Sequence, residues 1–321
     1  MKPFLCRVVV FLCLAALTAY PLDLLFSKRL AQMPHGEFSV WSDIYAGKID
    51  AEIAIYGSSR AWVHVSPKIL QEHLGKKTYN FGMDGHNFWL QYLRHLEFFK
   101  HNPQPQIIIQ TLDVTHTLTK REELYNEAQF LPYMLWNSDI YQFTRSYEGY
   151  SAWDYKIPFF RYFQRGNIFY RTAKDWRIRD RGYLGMNWKW NLDLERAQSE
   201  QDSLTMELDP GTLELFDRFL IECQSKGVQV ILVYTPEYIG GQKFVKNRDE
   251  IISLFEHYAK KHNLFFLDYS SDPICFDTQY FYNALHLNRT GAELFSEKLA
   301  TDLKKLIGRQ PEWELADKNV F

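Results

Sequence analysis

Two polar residues, one in each half of the chain, have the types that acyl-transfer chemistry needs. Ser59 stands in a glycine-serine-serine turn directly after the apolar run Ile53–Tyr56, and His286 stands shortly before the last helical pattern. A serine hydroxyl is a weak nucleophile until a neighbouring histidine accepts its proton. The pair therefore predicts catalysis through an acyl-Ser59 intermediate, with His286 as the general base.

The negative oxygen that forms during acyl transfer needs backbone N–H donors close by. A serine at a strand-to-helix turn, such as Ser59, and a nearby glycine, such as those in the turn after the second apolar run, can supply these donors. Residues beside these turns are candidate substrate contacts. They are Arg60, Asp84 and His86. Arg60 has a second interpretation, as an arginine that is solvated or paired on its own helix.

Alternating strand and helix patterns must position these residues. The strand patterns are Ile53–Tyr56, Thr78–Phe81, Ile107–Leu112, Val228–Tyr234 and Leu264–Leu267. The helical patterns between and after them are Pro67–Leu74, Asn87–His101, Leu213–Lys226, Arg248–His262 and Thr290–Ile307. This alternation predicts an α/β fold with a mostly parallel five-stranded sheet covered on both faces. Because ligands bind at the carboxyl ends of such strands, we expect Ser59 and His286 to face each other there.

Three short blocks resemble those of the SGNH (GDSL-like) hydrolase superfamily. Gly57-Ser58-Ser59 looks like its Gly-Asp-Ser block, Asn80-x-Gly82-x-x-Gly85 is similar to its second block, and Asn283-x-x-His286 resembles its closing Asp-x-x-His block. The resemblance implies a three-layer α/β/α flavodoxin-like sandwich, with Ser59 as nucleophile, the amides of Ser59 and Gly85 as oxyanion donors and His286 as base. Thr115 stands about where the family has an oxyanion asparagine in its third block.

This sequence departs from the family pattern at the position of the catalytic acid. Asn283 stands where the family has an aspartate, and Asp277 is close enough in sequence to substitute for it. A neutral asparagine can orient an imidazole, but it cannot stabilise an imidazolium and it can favour the wrong tautomer.

The N-terminus has the features of a targeting segment. Lys2 and Arg7 precede the apolar run Val8–Ala19, and further apolar residues continue to Phe26. We interpret residues 1–30 as a membrane anchor, with a signal peptide cut after Ala19 as the alternative. The domain that follows, residues 50–321, is then expected outside the cytoplasm, in a periplasm or at a cell surface.

A long stretch, residues 119–208, interrupts the alternation between the third and fourth strands. It is rich in aromatic residues, and its tryptophans are Trp136, Trp153, Trp176, Trp188 and Trp190. We predict a helical insertion that forms either a structural cap or a lid on the substrate groove. In both cases, Tyr125–Trp190 is expected to pack over the carboxyl edge of the sheet.

The composition of the chain argues against some classes of partner and ligand. A formal net charge of -2 gives no signal for nucleic acid. No Cys/His spacing indicates a metal site, and we expect no cofactor. Cys223 and Cys275 could form a disulfide or stay as two buried thiols.

Two functions fit the sequence. The first is an extracytoplasmic esterase or O-acyltransferase, acting on acetyl groups of a cell-envelope or exopolysaccharide glycan. The second is a glycan-binding or scaffolding protein that keeps the SGNH-like fold without turnover, for which Asn283 and the absence of the family's oxyanion asparagine are the arguments.

Overall fold

The computed structural model describes residues 2–163, 165 and 178–309. The chain forms two compact units. Residues 1–46 and 122–178 make the N-terminal unit, and residues 47–121 and 179–321 make the α/β unit. The helices, in chain order, are α1 (Lys2–Ala31), α2 (Gly36–Tyr45), α3 (Ser59–His64), α4 (Pro67–Leu74), α5 (Phe88–His101), α6 (Leu131–Met134), α7 (Ser138–Thr144), α8 (Phe160–Phe163), α9 (Asp193–Glu200), α10 (Pro210–Ser225), α11 (Ile239–Phe244), α12 (Arg248–Lys261) and α13 (Arg289–Leu306).

The α/β unit is built on one parallel sheet. Its strands are β1 (Ile53–Tyr56), β2 (Thr78–Asn80), β3 (Ile107–Leu112), β4 (Gln229–Tyr234) and β5 (Phe265–Asp268). They lie in the order β2-β1-β3-β4-β5, and all neighbouring pairs are parallel. The predicted fold class, with a five-stranded parallel sheet, is confirmed. Two further short strands, β6 (Phe281–Asn283) and β7 (His286–Leu287), form a separate antiparallel pair.

Alternate residues along each strand face opposite layers of helices, because successive side chains of a strand point to opposite sides. Ile53 and Ile55 of β1 belong to a buried cluster with Phe295 and Leu299 of α13. On the other side, Tyr56 meets Phe219 of α10 at a ring-centroid distance of 6.4 Å. The sheet is therefore the middle layer of three.

Local sequence explains where the helices near the site begin and end. Ser66 caps α4 by accepting a hydrogen bond from the amide of Ile69 at 3.4 Å, and Pro67 occupies the first turn. Gly75 ends that helix with φ 67°, a conformation that glycine adopts readily. Asn288 caps α13 through the amide of Gly291 at 3.1 Å, which fixes the point where β7 gives way to the helix.

The N-terminal unit is organised around the second half of α1. Asp23, Ser27 and Leu30 are its buried residues and lie on one face of the helix. The Asp23 carboxylate forms two hydrogen bonds with the guanidinium of Arg161, at 2.7 and 3.0 Å. Nearby, Trp41 of α2 donates to Gln129 at 2.9 Å and packs its ring against Phe130 and Tyr133.

The predicted insertion, residues 119–208, is divided between the two units. Its residues 122–178 join α1 and α2, whereas residues 179–208 join the α/β unit. Residues 122–178 contain Arg161, which forms a buried ion pair with Asp23 of α1, and this pair joins that part of the insertion to the N-terminal unit. Trp176 lies outside the described residues.

The two cysteines of the α/β unit are not paired. Cys223 and Cys275 are buried free thiols, so the disulfide alternative is wrong. The Cys275 thiol donates to the backbone carbonyl of Tyr269 at 3.3 Å.

Candidate active site

Ser59 is the first residue of α3 and follows β1 through a tight turn. The turn uses Gly57 at φ 145°, where a side chain would overlap the hydroxyl of Thr111 on β3. Ser58 caps α3 by accepting from the amide of Arg60 at 3.3 Å. The sequence therefore presents Ser59 at the carboxyl end of β1, with its own amide at the start of a helix.

The structure brings Ser59 and His286 together. Ser59 Oγ lies 2.7 Å from His286 Nε2. His286 opens β7, and the short β6–β7 pair holds it beside the turn after β1. The distance is within the range in which a histidine can take a proton from a serine hydroxyl.

Asn283 holds the other nitrogen of the same ring. Its Oδ1 lies 2.9 Å from His286 Nδ1, and it also accepts the amides of His286 at 2.9 Å and Leu285 at 3.1 Å. Two backbone N–H donors identify this atom as the amide oxygen, since an NH₂ group cannot accept them. The oxygen therefore requires a proton on Nδ1, and Nε2 is left with its lone pair towards Ser59. Asn283 thus selects the productive tautomer.

Asp277 is placed elsewhere. Its carboxylate accepts hydrogen bonds from the backbone amide of Gln279, at 2.9 Å, and from the side chain of the same residue. It caps the 3₁₀ turn Thr278–Tyr280 instead of reaching His286. The acid position is therefore held by the neutral Asn283.

The surroundings of His286 keep its imidazole neutral. Burial lowers the pKa of His286 to about 3, with His116 and Arg60 acting in the same direction and the charge of Asp113 acting against them. At pH 7 the ring is unprotonated and able to accept the Ser59 proton. A protonated His286 is costly under the same conditions, because none of the carboxylates in the described part of the chain is hydrogen-bonded to the ring, whose partners are Ser59 and Asn283.

Asp113, directly after β3, is a buried carboxylate to which the sequence analysis gave no role. It accepts from Ser58 Oγ at 2.5 Å and from the His116 amide at 2.5 Å. Although burial favours its neutral form, His116, Arg60 and Ser58 together hold the pKa of Asp113 well below its usual range. The only sequence signal for it was its place at the end of a strand. It fixes Ser58, and so the turn that carries Ser59.

Two predicted oxyanion donors are available and the third is not. Within the described part of the chain, the amides of Ser59 and Gly85 donate no hydrogen bond to the protein. Gly85 has φ 72°, which suits glycine. Thr115 has one hydroxyl proton, and its oxygen lies 3.3 Å from Asp113 Oδ1 and 2.8 Å from His116 Nδ1. Its hydroxyl is therefore engaged inside its own turn.

Arg60 is not a substrate-facing arginine. Only 2% of its side chain is exposed; it donates to Thr235 Oγ1 at 3.1 Å and forms an ion pair with Glu237 at 3.5 Å. Its guanidinium also lies 4.6 Å from the centre of the Tyr234 ring. Burial opposes the charge, but Tyr234 and Glu237 outweigh it and the pKa of Arg60 is raised. The predicted substrate contact is thus replaced by a buried structural role.

The other two predicted substrate contacts differ in exposure. His86 is buried, with 2% of its surface exposed, so it does not line an open groove as predicted. Asp84 is half-buried beside Gly85 and stays a predicted contact.

His64, at the end of α3, supports the strand that carries His286. Its Nε2 accepts the amide of Leu287 at 3.0 Å, and its Nδ1 lies 2.8 Å from Thr235 Oγ1. Burial and the charge of Arg60 hold the pKa of His64 well below its usual range, so the ring is neutral. Nothing local in the sequence distinguished this histidine from a surface one.

Aromatic side chains cover one side of His286. The ring of Tyr282 stacks on His286 at 5.2 Å and 3°. Trp188 meets Tyr282 edge-on at 5.3 Å, and 55% of Trp188 is exposed. The segment that carries Trp188 is tied to the site by backbone bonds from Leu184 to Trp62 and from Asn191 to Tyr282. This part of the predicted insertion lies beside the site, and for residues 122–178 the expected position stays a prediction.

Among residues 2–163, 165 and 178–309, no group of three or more His, Cys, Asp or Glu side chains has the arrangement of a metal site.

Comparisons with known proteins give distant likenesses. No family model matches the chain, and no curated protein matches it. Among solved structures, it is similar to the acetyl xylan esterase AlAXEase, at 11% identity over 78% of this chain and 99% of that one, with a TM-score of 0.41. It is also similar to a GDSL-like lipase from Bacteroides thetaiotaomicron, at 10% identity over 84% of this chain and 98% of that one, with a TM-score of 0.38. The description of Ser59, His286 and Asn283 rests on the distances between their side chains.

Proposed function

We propose that this chain is an SGNH-type serine esterase or O-acyltransferase that works through an acyl-Ser59 intermediate. The observation that carries the proposal is the continuous hydrogen-bonded line from Ser59 Oγ through His286 to Asn283 Oδ1, with contacts of 2.7 and 2.9 Å. This line sets both the position and the tautomer of the base.

The chemistry would proceed in two halves. His286 Nε2 takes the proton of Ser59 while Oγ attacks the ester carbonyl carbon, and the oxyanion accepts the amides of Ser59 and Gly85. The protonated His286 then donates that proton to the departing alcohol oxygen, which leaves the acyl group on Ser59. In the second half, His286 activates a water or a sugar hydroxyl. Water gives hydrolysis, and a sugar hydroxyl gives transfer.

Covalent labelling tests this proposal. A fluorophosphonate probe should label the full-length protein, and p-nitrophenyl acetate should be hydrolysed. Ser59→Ala should abolish both signals, whereas Ser199→Ala, at an exposed serine on α9, should leave them unchanged. Labelling that persists in folded Ser59→Ala would reject Ser59 as the nucleophile.

We further propose that the substrate is a glycan of the cell envelope that carries acetyl groups, and that the reaction takes place outside the cytoplasm. It is supported by Trp188, a half-exposed ring two aromatic contacts from the base, because tryptophan faces bind sugar rings well. We expect Trp188→Ala to raise KM for an acetylated oligosaccharide by at least about tenfold. With p-nitrophenyl acetate, kcat/KM should change little. Equal losses on both substrates would contradict a sugar-binding role.

A second function is favoured by one feature of the site, the neutral residue at the acid position. A catalytically silent protein would use the same groove to bind a glycan. Glycan binding by folded protein, without probe labelling or ester hydrolysis, would support this alternative over the enzyme.

A further inference from the structure

Helix α1 has two halves with different surroundings. Residues Lys2 to Thr18 are exposed, and an apolar 18-residue window of the helix has a mean hydropathy of 2.2 and is only 6% buried. At about 1.5 Å per residue, eighteen residues span roughly 27 Å, close to the hydrocarbon thickness of a bilayer. From Asp23 onwards the helix is instead packed within the N-terminal unit.

The helix emerges from the N-terminal unit at Tyr20. Its hydroxyl donates to the backbone carbonyl of Lys156 at 2.8 Å, and its ring meets Trp136 edge-on at 6.3 Å. Ile157 follows Lys156 in the chain, and its backbone amide donates to the carbonyl of Trp153 at 2.9 Å. Trp153 therefore lies within one helical turn of the residue that Tyr20 contacts. The protein surface around the emerging helix is therefore set by residues from 136 to 157.

Large apolar side chains at this level are exposed. The exposed fractions are 38% for Tyr20, 42% for Trp136, 59% for Trp153 and 39% for Ile157. We call these four residues the aromatic belt. Three of the four are Trp or Tyr, which concentrate where a bilayer meets water because their rings are apolar and their tips are polar. Lys28 and Arg29, two turns further along α1, are exposed cations on the other side of the belt.

The connection between belt and helix is rigid. Asp23, one turn beyond Tyr20, binds the Arg161 guanidinium at 2.7 and 3.0 Å, Trp136 Nε1 at 3.0 Å and the amide of Phe159 at 2.6 Å. One carboxylate thus ties together α1, the belt tryptophan and the segment that follows Ile157. The belt cannot change its level along α1 without breaking this buried cluster.

We propose that the aromatic belt of the N-terminal unit is a lipid-binding surface that sits in the headgroup region of the bilayer crossed by the first half of α1. Residues 122–163 then act as a membrane-interface collar for the anchor. A bilayer is favoured over a partner protein because the belt continues an apolar helix of spanning length and is followed by cations. A membrane has the same order, with a hydrocarbon core, an interfacial region and a charged surface.

Depth measurement on the full chain tests the inference. In a background where Cys6 and Cys13 are changed to Ser, the remaining thiols, Cys223 and Cys275, are buried and should not react. A Trp153→Cys variant is labelled with an environment-sensitive fluorophore and reconstituted into phosphatidylcholine–phosphatidylglycerol vesicles. Quenching is measured with headgroup-region spin-labelled lipid and with aqueous iodide.

Two reference positions, one in α1 and one directly after it, calibrate the result. Native Cys13, in a Cys6→Ser background, reports the hydrocarbon interior. Gln32→Cys, an exposed position twelve residues beyond Tyr20 and so about 18 Å along the axis, reports water. We expect lipid quenching at position 153 to exceed that at position 32 by at least about twofold, and iodide quenching to show the reverse order.

Other outcomes overturn the inference. Iodide quenching at position 153 equal to that at position 32 would place the belt in water. Shielding from iodide without lipid quenching would show that a second copy or another protein covers the belt. Ile157→Cys repeats the measurement should the Trp153 variant lose its fold, which thermal unfolding would reveal.

Discussion

Asn283 can perform one of the two functions of the acid in a catalytic triad. Its oxygen accepts three N–H groups and fixes the tautomer of His286, but it brings no charge to the imidazolium. The geometry therefore removes one of the two expected defects of an asparagine at this position and leaves the other. The remaining defect is electrostatic and can be repaired.

We expect Asn283→Asp to raise kcat/KM for a simple ester by at least about tenfold, which corresponds to about 1.4 kcal/mol of transition-state stabilisation. A carboxylate in the same place would accept the same three N–H groups and stabilise the imidazolium. The matched control is Asp277→Asn, which should leave the rate unchanged because Asp277 binds Gln279. A large loss in the Asp277 variant would identify it as the acid and contradict the structure.

The pH dependence of the reaction should be unusual for a histidine base. The pKa of His286 lies at about 3, well below the ~6.5 of a free histidine, so the base stays unprotonated from neutral pH down to acidic pH. The rate of Ser59 labelling should therefore be nearly constant between about pH 5 and pH 8. In Asn283→Asp the acidic limb should move upward, since a carboxylate stabilises the protonated ring. A wild-type limb near pH 6.5 would show an ordinary histidine.

The same pKa shift also bears on stability. Below about pH 6.5 the unfolded chain binds a proton at this position that the folded chain refuses, so acid favours unfolding. The stability that depends on the neutral ring is complete above that pH and is lost as pH falls towards 3. Labelling rates should accordingly be compared only where the protein remains folded.

At the scale of elements, the strand pair β6–β7 is held from behind by α3. His64 accepts the amide of Leu287, the residue next to the base, and is itself fixed by Thr235. His64 is thus a positioning residue. It acts through the backbone of β7.

His64→Ala should lower kcat by at least about tenfold with little change in KM, because small displacements of a base are costly. His64→Gln should retain more activity, since its amide oxygen can still accept the Leu287 amide. Steady-state kinetics and the Ser59 labelling rate would measure both. Equal activity in Ala and Gln variants would show that the hydrogen bond has no part in placing the base.

The Asp23–Arg161 pair holds α1 in the N-terminal unit, and both side chains are fully buried. Asp23→Ala should destabilise that unit by roughly 3–5 kcal/mol, because it leaves a buried guanidinium unpaired. The double variant Asp23→Leu with Arg161→Met should lose less. Thermal unfolding in detergent would measure these changes, with Lys28→Ala, at an exposed position of the same helix, as control. A double variant less stable than both single variants would contradict the pairing argument.

Across the whole molecule, the sheet was predictable and the polar interior was not. Runs such as Ile107–Leu112 identify strands because apolar and β-branched residues favour a buried sheet, and the structure has that strand with the same ends. Ser59 and His286 were predictable because their turns stand at strand ends. Asp113 also follows a strand, but its role and that of His64 depend on partners that come together only when the fold closes.

The division of the insertion was unpredictable for a related reason. In the sequence, Asp23 interrupts an apolar helical pattern. Only the structure shows that it pairs with Arg161, because no short-range periodicity connects the two residues. For the same reason the sequence suggested an anchor that extends to residue 30. In the structure, every residue of the helix is exposed only as far as Thr18, and its later turns belong to a folded unit.

That long-range pair also has a consequence for biosynthesis. At a translation speed of about 5–20 residues/s, Arg161 leaves the ribosome roughly 7–28 s after Asp23. During that interval an anionic side chain at the end of an apolar helix has no partner from its own chain, and the strands β1 to β3 are made meanwhile. The N-terminal unit can therefore close only after the first half of the sheet exists. An insertion factor or chaperone that shields α1 would have its window of action in those seconds.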